Sequence, residues 1–361
     1  MLQKMKDIQE LLICPKCEGQ VKENGDFLEC TKCFHQVKVE SGVIILVEES
    51  SYYWGEITQP DMMQVLEKTR SKGWRQAVAE ILQVKYPHLV DMVLGEDRID
   101  WVHFLPRKSN LTILDVGSGW GQTSFLLAKD QTNTVVSLEK IQERALFQAI
   151  RREQDKVQNI HIVNGDFLNA KFKNNIFDLI TLIGVLEWIG VDGLPQNPRD
   201  VQLNALRKAY RLLRNDGILC IGIENRIGFN NFLGARDHSG LRFTSLMPRF
   251  LADIYVKMRK PLYRSNMKFI GYRTYTYSMY GYKNLLKKAG FKNVEILIAH
   301  PHYAHPRCLI EMNNSTIKHF FTKIYQPTSL KDIVFCACFR ALSWLKIAPL
   351  FAPHFIILAR K

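Results

Sequence analysis

Four cysteines near the start of the sequence are spaced like the ligands of a structural zinc ion. Cys14 and Cys17 form one C-x-x-C pair, and Cys30 and Cys33 form a second pair after twelve intervening residues. Each pair places two thiolates on one tight turn, and two such turns complete a tetrahedral sulfur site. Two disulfides are the alternative, but they need an oxidising compartment. We therefore predict a closed zinc site in a small ribbon over residues 1–48.

A second set of residues has the pattern of a nucleotide-binding loop. Gly117, Gly119 and Gly121 follow the apolar segment 111–116, and a helix-like segment, 122–129, comes next. Glycines permit positive φ and a close backbone approach to a ligand, and the free N–H groups at a helix start attract anions. The spacing is G-x-G-x-G and not the G-x-G-x-x-G of dinucleotide folds. Its place after an apolar strand predicts the start of a nucleotide-binding α/β unit.

Acidic residues follow the next two predicted strands. Glu139 ends the strand 134–138, twenty-two residues after the first loop glycine, where such folds place an acid for ribose hydroxyls. Asp166 and Phe167 follow the strand 160–163, and an acid beside an aromatic ring can hold adenine. A turn or a helix cap is the alternative role for Asp166. Because three successive strand ends present suitable groups, we predict ligand binding at all three.

The elements that must position these residues alternate between strand and helix. This alternation predicts a doubly wound parallel sheet whose ligands bind at the carboxyl ends of the strands. A last strand near the end of the sequence is expected to close the sheet in the antiparallel direction. The predicted elements are strands 113–116, 134–138, 160–163, 177–183, 217–223, 294–298 and 354–359, and helices 143–152, 202–213 and 281–289.

Charge is distributed unevenly along the 361 residues. The net charge is +14, but residues 240–361 alone hold twenty Lys and Arg against four Asp and Glu, or +16. Such a basic region suggests an anionic partner, either a phosphorylated substrate, a nucleic acid or a membrane surface. A solvated lysine-rich surface is equally compatible. With no secretory signal or bilayer-spanning run in the sequence, we expect a cytoplasmic protein, with any contact to the inner membrane peripheral.

Five segments, taken in order, resemble the core motifs of class I S-adenosylmethionine-dependent methyltransferases. They are LDVGSGWG, SLEK, NGDF, FDLITLIGVLEWIG and LLRNDGILCIGIENR, within residues 109–300. The resemblance implies a Rossmann-like, doubly wound, mostly parallel sheet of seven strands. The pattern CPKC…CTKC…SGVIILV is similar to the short zinc ribbon that precedes many bacterial methyltransferase domains.

The resemblance also implies roles for individual residues, with S-adenosylmethionine as cofactor and zinc as a structural ion. Glu139 would hold the ribose, Asp166 and Phe167 would face the adenine, and Gly184 would lie beside the cofactor methionine and the incoming substrate. The family usually has Pro-Gly-Gly before strand five, where this sequence has the turn 215–217. The amino-acid end of the cofactor would be lined by Asp115, Gly117, Ser118, Gly119 and Gly121.

Three residues are candidates for moving the proton of a methyl acceptor. His238 has the best intrinsic pKa for a general base, and it lies in a polar loop between glycines. Glu187 and Glu224 follow the fourth and fifth strands. A structural hydrogen bond is the alternative role for His238, and a cap or substrate contact is the alternative for Glu187.

A narrower resemblance concerns the acceptor. Residues 184–249 and 272–291 look like a methyltransferase group encoded with glycosyltransferases in bacterial surface-polysaccharide loci. This implies methyl transfer to a hydroxyl or similar nucleophile of a sugar, as a small molecule or a lipid-linked glycan intermediate. RNA is the alternative substrate, although the ribbon, at −2, is slightly acidic. A non-catalytic binding module is the third hypothesis, which the intact loop glycines and acids disfavour.

The sequence divides into four predicted parts. After the ribbon, residues 49–108 are expected to form a helical linker or cap, with Tyr52, Tyr53 and Trp54 as packing residues. Residues 109–300 form the cofactor-binding core, with a substrate-covering insertion at about 225–282. Residues 301–361 form C-terminal helices and the closing strand.

Overall fold

The computed structural model describes residues 8–47, 55–191, 195–259 and 271–361. Tyr52, Tyr53 and Trp54 lie outside the described residues, as does part of the predicted insertion. The strands are β1 Val21–Asn24, β2 Phe27–Cys30, β3 Gln36–Glu40, β4 Val43–Ile45, β5 Thr112–Val116, β6 Thr134–Glu139, β7 Ile160–Asn164, β8 Phe177–Ile183, β9 Leu213–Glu224, β10 Asn293–His302, β11 His305–Glu311 and β12 His354–Arg360.

Helices cover both faces of the strands and also form a cap before β5. Short 3-10 turns occupy Pro87–Leu89, Asp97–Phe104 and Leu186–Trp188, and π-helical turns occupy Val78–Leu82 and Phe320–Ile324. The α-helices are α1 Ile8–Leu11, α2 Gln59–Lys72, α3 Trp74–Ala77, α4 Gln83–Lys85, α5 Val90–Leu94, α6 Gln122–Leu127, α7 Gln142–Gln154, α8 Pro198–Leu212, α9 Phe229–Phe232, α10 Arg249–Arg259, α11 Met279–Ala289, α12 Asn314–His319, α13 Leu330–Trp344 and α14 Ala348–Phe351.

The predicted mostly parallel sheet of seven strands is present, but it is the centre of a larger mixed sheet. Within the described ranges, twelve strands follow the order β1-β2-β3-β4-β7-β6-β5-β8-β9-β12-β10-β11. Five neighbouring pairs are parallel and six are antiparallel. The predicted seven strands form the centre of this sheet, from β7 to β10. The sheet extends beyond them because the two edge strands of this centre each have a free row of backbone hydrogen-bonding groups, to which a further strand can bind.

Four of the five added strands, β1 to β4, come from the N-terminal ribbon. β4 pairs in parallel with β7, with Val43 opposite Ile162 and Ile45 opposite Asn164. Leu11 and Leu12 are fully buried in the same core as the strands. The ribbon is therefore joined to the central sheet by backbone hydrogen bonds and by apolar packing.

The other added strand is β11, which forms an antiparallel hairpin with β10. The sequence gives little sign of this strand, because His305, Pro306 and Arg307 interrupt its apolar pattern. Pro306 is tolerated because β11 is at the edge of the sheet, where one row of N–H groups has no strand to bind. The predicted closing strand is confirmed, since β12 runs antiparallel between β9 and β10.

The central strands form because their side chains are apolar on both faces. Every residue of β5, β6 and β8 is buried, as expected for parallel strands covered by helices on both sides. The turn predicted at 215–217 lies within β9, where Asp216 has a φ of 63° and the pairing with β8 shifts register. This arrangement brings the carboxyl ends of β5 to β9 to one edge of the sheet.

The cap packs beside that edge. Trp74 and Trp120 each contact Phe147 of α7 edge to face, and the indole of Trp74 donates to Asp155 at 3.0 Å. Trp101 is fully buried. Among the described helices, none is both long and apolar enough to cross a membrane.

Candidate active site

A cavity of about 570 Å³ lies at the carboxyl ends of the central strands. The loops that follow β5, β6, β7 and β8 form one side, and the cap and the β10–β11 turn form the other. We call it the cofactor cavity. The predicted residues that line it are Gly117, Ser118, Gly119, Glu139, Asp166, Phe167, Gly184 and His238.

The glycine loop turns back over the strand ends in a conformation that favours glycine. Gly117 and Gly119 have φ values of 62° and 60°. A Cβ on Gly117 would lie 2.7 Å from the Val185 side chain, whereas a Cβ on Gly119 would meet nothing closer than 3.9 Å. Gly117 therefore permits close packing between two loops, and Gly119 keeps space open beside the cavity.

Glu139 joins the glycine loop to the end of β6. Its carboxylate accepts from the backbone N–H of Gly119 at 2.7 Å and of Ile141 at 2.9 Å. Burial raises the pKa of Glu139 to about 7, although these N–H groups act in the opposite direction. The carboxylate is thus held at the cavity wall, in position to accept hydrogen bonds from a ligand.

Two predicted cofactor-binding residues lie behind the wall instead of lining it. Asp115 is buried, and its carboxylate accepts from the Ser124 and Thr181 hydroxyls, both at 2.6 Å. A Cβ on Gly121 would lie 2.9 Å from the Phe125 ring. For these two residues the direct role implied by the resemblance is corrected, because their positions support the loop from below. The Ser118 hydroxyl lines the cavity and accepts from Gln148 at 2.9 Å.

Asp166 and Phe167 lie together on the wall that follows β7. One carboxylate oxygen of Asp166 accepts from the backbone N–H of Leu168 at 2.8 Å, and the other pairs with Lys140 at 2.9 Å. The turn role that the sequence left open for Asp166 is therefore present. The Phe167 ring is 6% exposed, and the ammonium of Lys208 lies 5.2 Å from its centroid.

The cap supplies cavity residues that sequence reasoning missed. His88, Met92 and Arg98 line the cavity from helical segments in which we found no chemical motif. The Arg98 side chain donates to the Thr123 hydroxyl at 3.2 Å, which places it near the start of α6. Only the folded chain brings these residues to the glycine loop, so no local pattern could have indicated them.

The three catalytic candidates meet at one point. His238 Nε2 lies 3.0 Å from a carboxylate oxygen of Glu224 and 3.6 Å from one of Glu187. The Trp188 ring lies 4.8 Å from the imidazole, centroid to centroid. The end of β9, the turn after β8 and the loop after α9 thus converge on His238.

Burial affects the protonation of the glutamates and histidines around His238. The side chain of Glu187 is completely buried, and that of Glu224 is 24% exposed. Burial works to raise the pKa of Glu224, but the neighbouring histidines, His238 foremost, together outweigh burial and hold that pKa below the usual range. Burial lowers the pKa of His302 to about 4 and that of His354 to about 3, so both rings are neutral near pH 7.

A second cavity, of about 440 Å³, opens on the other side of His238. We call it the acceptor cavity. His238 and His302 line both cavities, whereas Glu224 and His354 line only this one. Its other polar lining residues include Asn225, Asn230, Asn231, Arg236, Asp237, Ser245 and Thr276.

Glu224 also belongs to two groups of side chains close enough to share a metal ion, one with Glu187 and His238 and one with His302 and His354. His302 Nδ1 accepts from the backbone N–H of Ala304 at 3.0 Å. In a neutral ring this leaves the proton on Nε2, which makes that nitrogen a donor and not a ligand. The geometry therefore favours acid–base chemistry at Glu224.

The four ribbon cysteines converge as the spacing predicts. Their Sγ atoms lie within 4.8 Å of one another, with Cys14 and Cys33 at 3.6 Å and Cys17 and Cys30 at 3.4 Å. These distances exceed a disulfide bond of about 2.05 Å and approach the edge of a ZnS₄ tetrahedron, about 3.8 Å for Zn–S bonds near 2.3 Å. The cluster could hold one tetrahedral ion.

The comparisons with known proteins agree with this geometry. Residues 107–231 match the Methyltransf_31 family, described as a methyltransferase domain. No curated protein sequence matches the chain significantly.

Solved methyltransferase structures also resemble the chain, all at low identity. Haemonchus contortus phosphoethanolamine N-methyltransferase 2, in complex with S-adenosyl-L-methionine, has a TM-score of 0.44 and 14% identity over 82% of this chain and 60% of its own. The chain thus spans about three fifths of that enzyme's length. A possible histamine N-methyltransferase from Thermotoga maritima has a TM-score of 0.42 and 17% identity over 79% of this chain and 98% of its own. An Aquifex aeolicus S-adenosylmethionine-dependent methyltransferase has a TM-score of 0.41 and 12% identity over 78% and 97%.

The family match covers the glycine loop and both acidic strand ends. Together with the loop geometry, this match supports S-adenosylmethionine as the cofactor. Residues 107–231 are thus similar to a methyltransferase domain.

Proposed function

We propose that the chain transfers a methyl group from S-adenosylmethionine to a hydroxyl or similar nucleophile on a sugar or lipid-linked glycan intermediate. The observation that carries this proposal is the position of His238, which lines both the cofactor cavity and the acceptor cavity. A base at the boundary between donor and acceptor is what methyl transfer to a protonated nucleophile needs.

The cofactor is proposed to bind with its ribose on Glu139 and its adenine beside Asp166 and Phe167. Its amino-acid end would lie against the loop of Gly117 to Gly119, in the cavity that Arg98 also lines. Glu139 supports this placement, since a buried carboxylate on the wall suits paired ribose hydroxyls. Gly184, which lines the same cavity, would face the methyl-bearing end of the cofactor. A Cβ at this position would lie 3.0 Å from the Tyr303 hydroxyl, so glycine fits best there.

The chemical step is an in-line displacement at the sulfonium methyl. The acceptor oxygen forms the new bond to carbon, the carbon–sulfur bond breaks, and its electron pair stays on the sulfur of S-adenosylhomocysteine. Glu224 lies 3.0 Å from Nε2 of His238 and orients the ring, and the imidazole takes the acceptor proton. Both carboxylates then stabilise the imidazolium, and the cavity walls supply the alignment on which such reactions depend.

The lining of the acceptor cavity supports a hydroxyl-rich acceptor. Side-chain amides and hydroxyls surround His238 there, from Asn230 and Asn231 of α9 to Ser245 and Thr276 of the insertion. Such groups pair well with sugar hydroxyls. Tyr272, Tyr277 and Tyr282 are at least 92% buried, so these three tyrosines do not form an open stacking surface, whereas Tyr280 is 65% exposed.

The acceptor class can be tested with S-adenosylmethionine that carries a tritiated methyl group. Purified protein is incubated with a bacterial lipid extract, a soluble sugar fraction or total RNA. We expect label in the lipid or sugar fraction, and no label after His238→Ala. Label found only in RNA would overturn the acceptor class and favour the alternative, an RNA methyltransferase.

We also propose that Cys14, Cys17, Cys30 and Cys33 hold one structural zinc ion. The convergence of their Sγ atoms and the backbone N–H groups of Lys32 and Cys33, which point at Cys30 Sγ at 3.4 and 3.5 Å, support this assignment. Four thiolates leave no open position, so the ion would have no part in the reaction. Metal analysis should give about one zinc per chain, and iron or no metal would contradict the assignment.

A further inference from the structure

Helix α13 has an outward face made of apolar side chains. Leu330, Ile333, Val334, Trp344 and Leu345 are 77%, 49%, 50%, 76% and 54% exposed. With the exposed Ala337 and Ala341 they follow helical spacing along the whole helix. We call this set the outer face of α13. Cys336 and Phe339 are buried on the opposite side of the helix.

The inner side of α13 fixes the helix beside the acceptor cavity. Phe335 and Phe339 contact the ring of Phe229 edge to face, with centroids 5.8 and 5.9 Å apart. Phe229 begins α9, whose Asn230 and Asn231 line the acceptor cavity. The short helix α9 therefore lies between α13 and the acceptor cavity.

The end of α9 also exposes apolar side chains. Phe232 and Leu233 are 50% and 67% exposed, and Phe232 contacts Phe351 of α14 with centroids 5.8 Å apart. Large exposed apolar patches mark interaction sites in folded proteins.

The charge around the outer face identifies its partner. Arg340 is exposed within α13, and Lys346 is exposed just after it. Residues 240–361 carry a net charge of +16. Two copies of this surface would repel each other, whereas an anionic lipid surface would attract it. A helix with basic residues and with Trp and Leu on its apolar face is typical of segments that lie at a membrane interface.

The length of α13 agrees with a position on the bilayer and not across it. Its 15 residues extend about 22 Å at 1.5 Å per residue, less than the roughly 30 Å of the hydrocarbon core. We propose that the outer face of α13 docks on an anionic membrane surface and presents the acceptor cavity to a lipid-linked acceptor. The docking rests on the helix alone, and only its link to the acceptor rests on the proposed function.

Sedimentation with lipid vesicles tests the docking without cofactor or acceptor. Wild-type full-length protein should sediment with vesicles of phosphatidylglycerol and phosphatidylcholine, and much less with phosphatidylcholine alone. The double variant Leu330→Glu/Trp344→Glu should lower the partition coefficient more than about tenfold, because two apolar side chains would no longer enter the interface. The matched control is Met63→Glu/Val84→Glu, which changes two apolar residues of the cap that are 51% and 76% exposed and should keep wild-type sedimentation.

Three outcomes would overturn the proposal. The wild type could fail to sediment with anionic vesicles, the α13 variant could sediment like the wild type, or the wild type could form dimers that the α13 variant lacks. Cofactor affinity, measured on every variant, shows that the variant is folded. If the α13 variant does not fold, Arg340→Gln/Lys346→Gln tests the same surface through its charge, with weaker binding to anionic vesicles expected. Vesicle binding without methyl transfer would contradict the proposed function and leave the docking intact.

Discussion

The cofactor cavity and the acceptor cavity share His238 but are built in different ways. The predicted walls of the cofactor cavity come from loops that directly follow β5, β6 and β7, and each contains a recognisable pattern. The acceptor cavity brings together the end of β9, the loop around His238, the end of β10 and the start of β12. Local sequence therefore identifies the methyl donor site, whereas only the tertiary fold assembles the acceptor site.

The two cavities also differ in the groups they present. The cofactor cavity combines the backbone of the glycine loop with apolar side chains and with the carboxylates of Glu139 and Asp166. At the boundary with the acceptor cavity, two carboxylates lie within 3.6 Å of one imidazole. Variants on the donor side should therefore affect binding, and variants on the acceptor side should affect the rate.

The largest expected effect is on the donor side. Gly119→Arg should abolish detectable binding of S-adenosylmethionine, because the long side chain would occupy the open space beside the loop. Gly25→Arg is a matched control, since Gly25 also has a φ of 60° and open space around it but lies in the ribbon. Equilibrium dialysis should show wild-type affinity for the control. Equal loss of affinity in both variants would show that backbone strain, and not the cavity, is responsible.

The next largest effect is on the acceptor side. His238→Ala should lower the rate of methyl transfer by about 10²- to 10⁴-fold, the usual contribution of a general base. Its affinity for S-adenosylmethionine should change little. Glu224→Gln should lower the rate less, because the imidazole would remain but lose its charged partner. The control for both variants is His103→Ala, which changes an exposed histidine of the cap and should keep the wild-type rate. A rate unchanged by His238→Ala would show that His238 is not the general base.

A smaller effect is expected from pH on the donor side. Burial raises the pKa of Glu139 from 4.5 to about 7, so its carboxyl group is neutral below that pH in the free protein. Because only the carboxylate accepts bonds from both ribose hydroxyls, the Kd for S-adenosylmethionine should rise by up to about tenfold per pH unit below pH 7. Glu139→Gln should bind more weakly at pH 8 and lose this dependence.

Folding stability should depend on pH in the opposite direction to cofactor affinity. A carboxyl group whose pKa is raised in the folded state contributes stability that is complete below pH 4.5 and is lost as the pH rises through 7. Thermal melting of the free protein from pH 5 to pH 8 should show this loss in the wild type and not in Glu139→Gln. The same dependence in both proteins would assign it to another group.

The smallest effect on the two cavities is expected from the ribbon. Cys30→Ser should remove the bound zinc and lower the melting temperature by several degrees, because β4 of the ribbon extends the central sheet through β7. Affinity for S-adenosylmethionine should stay within about threefold of wild type, since the four-thiolate site has no open position. Cys308→Ser, outside the cluster, should keep the zinc. Loss of methyl transfer with an unchanged melting temperature would give the ion a role beyond structure.

Sequence reasoning succeeded where residues act on their neighbours. The alternation of strand and helix, the glycine loop and the C-x-x-C pairs predicted the central strands and the convergence of the cysteines. Sequence reasoning did not predict the direction of the Asp115 side chain, because a carboxylate at a strand end can point either to a ligand or beneath the loop. In the structure the hydroxyls of Ser124 and Thr181 bind it beneath the loop. Arg98 was missed because the glycine loop and Thr123 are distant from it in the sequence. The edge strand β11 was missed for another reason, since polar residues and Pro306 interrupt its apolar pattern.

The central claim is that the cavity above the glycine loop binds S-adenosylmethionine. Calorimetric titration of the full-length wild-type protein with S-adenosylmethionine tests it most directly. The account predicts saturable binding with one cofactor per chain, and competition by S-adenosylhomocysteine for the same site. A titration without saturable binding near neutral pH, from protein shown to be folded by its thermal melting, would contradict the account.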